Sequence, residues 1–333
     1  MLAVAPTLNE ATTIESVLRS LREDLPPDAD VHFVVADGGS TDGTPAIVRR
    51  LAASMPSLSL LLNPRRIQSC AVNLAVKLHG READVLVRFD AHAAYPRGFI
   101  RMLLATLDLT GADAVVVPMD SVGTNCVQKA IAWVSDTPLG SGGSAHRGGH
   151  RSGFVDHGHH AAFRIDSFRR AGGYNETFTH NEDAELDCRQ RAYGSRIYLD
   201  ADIRLQYAPR TTLGSLARQY FAYGRGRSRT VRLHPQSLRM RQFAPPLCMT
   251  LCAISLLAAP WWPWMLAWPV AYVGALVFAS VGMAVKHRSV CGLLTGVAAG
   301  TMHAAWSAGF LTAWIQVRER RWESTPPAVR DTP

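Results

Sequence analysis

Val31-His-Phe-Val-Val-Ala-Asp37-Gly-Gly-Ser-Thr-Asp42-Gly-Thr44-Pro45 reads as a buried strand, an acidic glycine-rich turn and the start of a helix. Val31 to Ala36 is a short apolar run of the kind found in strands covered on both faces. Pro45 suits the first turn of a helix, and Thr44 is its expected cap. The same unit recurs on either side. Leu2 to Ala5 is strand-like, and Ile14, Val17, Leu18, Leu21 and Leu25 follow at helical spacing. Leu58 to Leu62 is a third strand, followed by an apolar helix stripe at Ile67, Cys70, Ala71, Leu74, Ala75 and Leu78. Asp84 to Phe89 and Asp113 to Pro118 are a fourth and a fifth strand. Short apolar strands alternating with amphipathic helices predict an α/β fold, Rossmann-like, with a mostly parallel sheet and helices on both faces.

The acids sit where such a sheet binds ligands, outside the carboxyl ends of its strands. Asp37 follows the second strand and Asp90-Ala-His92 the fourth. Asn181-Glu182-Asp183 opens a predicted helix running from Glu182 to Tyr193. After Asp202 no acid appears until Glu319.

The back half has a different character. Net charge is +8, and nine Arg with no acid fall between Ile203 and Arg241, directly before a long uncharged run. Arginines beside an apolar segment meet anionic lipid headgroups. No helix-turn-helix, zinc-finger or stacking-sheet motif accompanies them, so nucleic acid is not an expected partner. No charged residue occurs from Phe243 to Val285, or from Ser289 to Val317. Pro260-Trp-Trp-Pro-Trp264 divides the first run into spans near 245–261 and 264–285, and a third is expected near 290–316. Lys286-His-Arg288 and Arg318-Glu-Arg-Arg321 flank that third segment, and both cannot obey the positive-inside rule in a simple crossing. The expected division is 1–230 for the α/β domain, 231–321 for a basic juxtamembrane segment with about three transmembrane helices, and 322–333 for a disordered tail. Six scattered cysteines without a CxxC pair predict neither a disulfide framework nor a structural zinc site, which fits a reducing compartment.

Pro6-Thr-Leu-Asn9-Glu10, Asp37-Gly-Gly-Ser40-Thr-Asp42, Asp90-Ala-His92, Gly172-Gly-Tyr-Asn-Glu176 and Asn181-Glu-Asp183-Ala-Glu185 form an ordered set. Together they resemble family 2 glycosyltransferases, inverting enzymes of GT-A fold, over residues 1 to about 230. Arg88-Phe-Asp-Ala-His92, Ala-Pro-Arg210 and Gln219-Tyr-Phe-Ala-Tyr-Gly-Arg225 look most like the succinoglycan-type, ExoA-like branch, which builds repeat units on a lipid carrier.

That resemblance implies a nucleotide-sugar donor, a lipid-linked (polyprenyl diphosphate) saccharide acceptor, and a multi-pass protein of the cell membrane with its catalytic domain in the cytoplasm. Asp37 is the expected nucleoside ligand, with Glu10 and Pro6 beside it, and Arg65 and Arg66 either approach the diphosphate or are solvated turn residues. Asp90 and His92 resemble the metal motif of the family with His in the final position, and hold Mn or Mg against the leaving group. Imidazole suits Mn better than Mg. Asp183 matches the position of the general base, with Glu182 the second choice; a carboxylate at a helix start also complements the dipole. His157-Gly-His159-His160 reads either as a metal run lacking carboxylate partners or as the acceptor side of the pocket, represented by His160. Gln219 and Arg225 are further acceptor-side residues, although Arg225, Arg227 and Arg229 also read as a plain membrane-facing patch.

Two other functions compete with a one-sugar transfer. A processive polysaccharide synthase carries a Gln-x-x-Arg-Trp motif, whereas Gln219 here is followed by Tyr-Phe-Ala-Tyr. A non-catalytic membrane scaffold has no need of Asp37, Asp90 and Asp183 together.

Overall fold

A computed structural model describes residues 1–143, 147 and 150–316. They divide into two compact units: residues 1–119 with 150–207, and residues 120–143 and 147 with 208–316. The expected tail at 322–333 and the basic run at 318–321 lie outside the described residues.

The first unit begins with β1 (Leu2–Thr7), α1 (Ile14–Glu23), β2 (His32–Asp37), α2 (Thr44–Ser54), β3 (Leu58–Leu62), α3 (Gln68–His79), β4 (Val85–Arg88), α4 (Phe99–Thr110) and β5 (Ala114–Val116). After β6 (Met119–Ser121) and two helices of the second unit, α5 (Cys126–Ser135) and α6 (Pro138–Ser141), the chain returns to the first. It adds β7 (Gly153–Val155), β8 (His160–Arg164), α7 (Ile165–Arg170), α8 (Glu182–Ala192), β9 (Ile197–Leu199) and β10 (Leu205–Tyr207). Eight strands form one sheet in the order β3-β2-β1-β4-β8-β5-β9-β7. β3, β2, β1 and β4 run parallel, as do β5 and β9, while β8 is antiparallel to both its neighbours and β7 to β9.

Alternation along each strand feeds two cores. Ala3, Ala5, Phe33, Val35, Val87 and Phe89 pack beneath α1, α2 and α4. Leu2, Val4, Val34 and Leu86 face the other way, toward Val72 and Ala75 of α3, Phe168 of α7 and Leu186 of α8. Each fully buried Leu, Val or Phe contributes about 1.5–3 kcal/mol, so both faces must be covered, as expected. The register β1 to β2 ends with Thr7 opposite Asp37, which sets the acidic tip level with the loop after β1. Thr44 is not the cap of α2. Gly43 holds that place at φ 92°, and Thr44 is the buried first residue, its hydroxyl donating to Asp42 Oδ1 at 2.6 Å.

The second unit is helical: α5, α6, α9 (Leu213–Leu233), α10 (Ala244–Ala258), α11 (Ala267–Lys286) and α12 (Thr295–Gln316). Among the described residues, two stretches are long and apolar enough to cross a membrane, Met240–Ala258 and Pro263–Lys286, with mean hydropathy of 1.2 and 1.7. The Pro-Trp turn divides them as expected. The third expected span falls on α12, where Thr295, His303 and Ser307 interrupt the apolar run and Ala298, Ala299, Met302, Phe310 and Ala313 are buried within the unit. Its partner is α9, approached at two glycines: a Cβ on Gly309 would collide with the Phe221 carbonyl, and one on Gly224 with that of Trp306. The expectation of no disulfide is also corrected, because Cys126 at the start of α5 is bonded to Cys291, 165 residues away. Neither spacing nor motif marks a pair so far apart.

Gly309→Val is therefore expected to force α9 and α12 apart. Overpacking of this kind costs about 1–3 kcal/mol, read as a lower thermal midpoint of the purified protein. An unchanged midpoint would show that the two backbones do not meet this closely.

Candidate active site

The first unit gathers its functional side chains at the carboxyl ends of β1, β2 and β4. Asp37, the last residue of β2, is 3% exposed. Its Oδ2 accepts from the backbone N–H of Gly39 (2.9 Å) and Ser40 (3.0 Å), while Oδ1 is buried without a hydrogen-bond partner. A buried carboxylate oxygen left open is costly and marks where a ligand donor belongs. The remaining polar residues of the motif build the loop. Asn9 N–H donates to Ser40 Oγ (2.7 Å), Glu10 N–H to Thr44 Oγ1 (2.9 Å), Ala11 N–H to Asp42 Oδ2 (2.9 Å), and Thr41 N–H to Asn9 Oδ1 (2.9 Å). Asn9 itself takes a left-handed φ of 57°. Pro6 lies just before, paired with Ala36 in the β1–β2 register.

Arg65 and Arg66 part company. Arg65 forms an ion pair with Glu176 at 2.8 Å and is 59% exposed. Arg66, at φ 59°, lays its guanidinium over the acidic turn, so that a Cβ on Gly39 would sit 3.5 Å from its Nη2. Arg66 is the arginine that reaches the Asp37 loop.

Arg88 ends β4 on the face toward α8, almost wholly buried. Its Nη1 donates to Asp183 Oδ1 at 2.6 Å and to the Tyr174 hydroxyl at 2.9 Å, and its Nη2 lies 4.0 Å from Asp90 Oδ1. With its amide oxygen turned inward, Gln68 accepts from Nη2 at 2.8 Å. Tyr174 also donates to Asp183 Oδ1 at 2.8 Å. Oδ1 of Asp183 is thus held twice, and Oδ2 is left for another partner. Asn181, at φ 66°, turns the chain so that Glu182 and Asp183 open α8.

These neighbours split the two adjacent acids. For Asp183, burial works to raise the carboxyl, but Arg88, then His160, His159 and the Tyr174 hydroxyl, override it and hold the group well below the usual range. For Glu182, burial and the charge of Asp183 act together, and the carboxyl is pushed up to about 7.

His92 is half-exposed, with Nδ1 2.9 Å from Glu10 Oε1, which joins the loops after β1 and β4. One turn beyond Asp183, Asp187 is buried between two histidines. His157 Nδ1 meets its Oδ2 at 2.6 Å, and His160 Nε2 meets its Oδ1. The carboxylate partner expected to be missing from the histidine run is Asp187, out of sight because it lies 27 residues beyond His160. His159 faces the other way, its Nε2 3.7 Å from Asp90 Oδ2. Gln219 and Arg225 lie on α9 in the second unit and are not among the side chains gathered in the first. Sequence reasoning gave no role to Arg88, Tyr174 or Asp187. The one available signal was a lone arginine ending the apolar strand Val85-Leu-Val-Arg88.

Comparison with known proteins agrees with this geometry. The family described as Glycosyl transferase family 2 matches residues 3–172, and the chain belongs to it. It is an enzyme, a glycosyltransferase. The chain is 44% identical over 320 residues to the succinoglycan biosynthesis protein ExoA of Rhizobium meliloti strain 1021, covering 96% of each. It is 22% identical over 242 residues to a dolichyl N-acetyl-alpha-D-glucosaminyl phosphate 3-beta-D-2,3-diacetamido-2,3-dideoxy-beta-D-glucuronosyltransferase of Methanococcus voltae, covering 69% of this chain and 73% of the relative. Its fold is similar to that of the mannosyltransferase PcManGT of Pyrobaculum calidifontis, solved with GDP-Man and Mn2+ (TM-score 0.59, 22% identity, 94% of this chain and 86% of the other). The fold is GT-A.

Arg88→Met should leave Asp183 buried without its counter-charge, at a cost of about 3–5 kcal/mol. Because the folded Asp183 carboxyl is held below its unfolded value, this stabilisation is complete above about pH 4 and is lost as pH falls below it. Urea denaturation of Arg88→Met at pH 7 checks the claim; a loss under about 1 kcal/mol would mean that the pair does not hold β4 to α8.

Proposed function

We propose that this chain is an inverting hexosyltransferase that moves one sugar from a nucleotide-sugar donor, a UDP-hexose, to a lipid-linked saccharide at the cytoplasmic face of the cell membrane. The acceptor is carried on a polyprenyl diphosphate, and the product serves exopolysaccharide or cell-envelope glycan synthesis. The observation that carries the reading is the held Asp183, with Oδ1 locked by Arg88 and Tyr174 and Oδ2 outside those bonds.

The open Oδ1 of Asp37 accepts a base N–H of the donor, and the loop carrying Pro6 and Glu10 borders the nucleoside. Arg66, with Arg65 behind it, supplies positive charge for the diphosphate. A divalent cation on the Asp90 side would neutralise charge developing on the leaving diphosphate. Among the described residues no three His, Cys, Asp or Glu side chains converge as a closed cage. That suits a cation held by one or two protein ligands and completed by substrate phosphates. The acceptor hydroxyl oxygen attacks the anomeric carbon as the bond to the diphosphate oxygen breaks on the opposite face, and the hydroxyl proton passes to Asp183 Oδ2. A strongly acidic carboxyl serves because the hydroxyl acidifies as its oxygen bonds to carbon. Glu182, neutral below about pH 7, donates a hydrogen bond to the acceptor.

Support for the membrane comes from the two apolar spans and the arginines before them. If these two spans cross, Arg239 and Arg241 at the start of the first and Lys286 and Arg288 at the end of the second fall on one side. The positive-inside rule then holds on the cytoplasmic side, where nucleotide sugars are made. The archaeal relative is named for a dolichyl phosphate-linked substrate, and a lipid-linked acceptor follows from that likeness.

A panel of nucleotide sugars with Mn2+ should reveal one that raises the thermal midpoint, since binding to the folded state stabilises it. Asp183→Asn should bind that donor with near-native affinity yet lose about 10²–10⁴ in turnover. The native kcat/KM should show no ascending limb near pH 7, because Asp183 is ionised far below it. An ascending limb centred near 7 that vanishes in Glu182→Gln would move the base to Glu182.

A further inference from the structure

The segment His157-Gly158-His159-His160 is held in place by Asp187 and by β5. Asp187, 1% exposed, accepts from His157 through one oxygen and from His160 through the other. His160 also stacks on Phe163, ring centroids 4.4 Å apart. Between the clamped positions, Gly158 lies against β5 so closely that a Cβ would collide with the Val116 side chain. The His159 carbonyl accepts from Val117 N–H at 3.0 Å, which ties the same segment to the sheet.

His160 opens β8 at a register shift in its pairing with β5, and the neighbouring His159 ring is directed toward Asp90. There its Nε2 stands 3.7 Å from Asp90 Oδ2. That spacing is beyond a hydrogen bond. Two adjacent ligands of an octahedral cation, each at about 2.1 Å, lie about 3 Å apart. The pair is within a side-chain adjustment of that separation.

We infer that His159 Nε2 and Asp90 Oδ2 are the protein ligands of the divalent cation that accompanies the donor diphosphate. The inference rests on the metal reading of Asp90 given above and changes its second ligand. His92, the ligand implied by the sequence motif, has Nδ1 engaged with Glu10 instead. One imidazole and one carboxylate leave the other positions to diphosphate oxygens and water, so the cation binds tightly only with the diphosphate present. The nitrogen ligand favours Mn2+ over Mg2+. His157, Asp187 and Gly158 are positioning residues that deliver the His159 ring.

The test is electron spin echo spectroscopy of Mn2+ bound to the full chain in the presence of inorganic pyrophosphate. Pyrophosphate contains no nitrogen, so a 14N modulation on the bound Mn2+ must come from the protein. The native protein should show this modulation, His92→Ala should keep it, and His159→Ala should lose it with at least about a tenfold fall in Mn2+ affinity. Asp90→Ala should lose bound Mn2+. Normal Mn2+ binding by Asp90→Ala would overturn the metal reading itself. Loss of binding in Asp90→Ala with the nitrogen signal intact in His159→Ala would leave that reading standing and overturn the His159 assignment. If His159→Ala fails to fold, the native protein and His92→Ala decide: a modulation absent from the native protein, or lost in His92→Ala, overturns the inference.

Discussion

A buried arginine with a carboxylate partner is the constraint on which this site depends. Arg88 comes up from β4 in the middle of the sheet, where its charge has no access to water. It is tolerated only because Asp183, Tyr174 and Gln68 surround its guanidinium. The charge that requires Asp183 also orients it, binding one oxygen and leaving the other. A single ion pair thus ties the central strand to the start of α8, sets the direction of the proposed base, and separates its acidity from that of Glu182 next to it. The two acids are adjacent in sequence, yet Arg88 bonds only to Asp183, and Glu182 is left with burial and a like charge.

The same helix organises the second cluster. Asp183 and Asp187 are four residues apart, so they share a face of α8. One meets the arginine of β4 and the other meets the histidines before β8. Antiparallel β8 lies between β4 and β5, and it brings that histidine segment to the tip where Asp90 stands. The mixed sheet is therefore what allows residues from 37 to 187 to converge at one edge.

Much of this was legible in the residues. Apolar strand runs, helical stripes and the acids at their junctions predicted the α/β sheet, its two covered faces and the placement of Asp37, Asp90 and Asp183. What stayed hidden depended on contacts between distant segments. Nothing near His157 or His160 announces Asp187. The irregular pairing of β8 with β5 at His160 decides that His159, not His160, stands beside Asp90. The glycines that let α9 meet α12 look like ordinary helix positions, and nothing in that uncharged run announces the close packing of the two helices. The sequence offered Arg65 and Arg66 alike, and only the backbone shows which of them lies over the Asp37 turn.

The account's central claim is a single displacement in which Asp183 takes the proton of the attacking hydroxyl. Proton NMR of the sugar first released when the enzyme slowly hydrolyses its donor, with water as the acceptor, tests it most directly. An initial product of anomeric configuration opposite to that of the donor is predicted, with its formation suppressed in Asp183→Asn. An initial product that keeps the configuration of the donor would contradict the account.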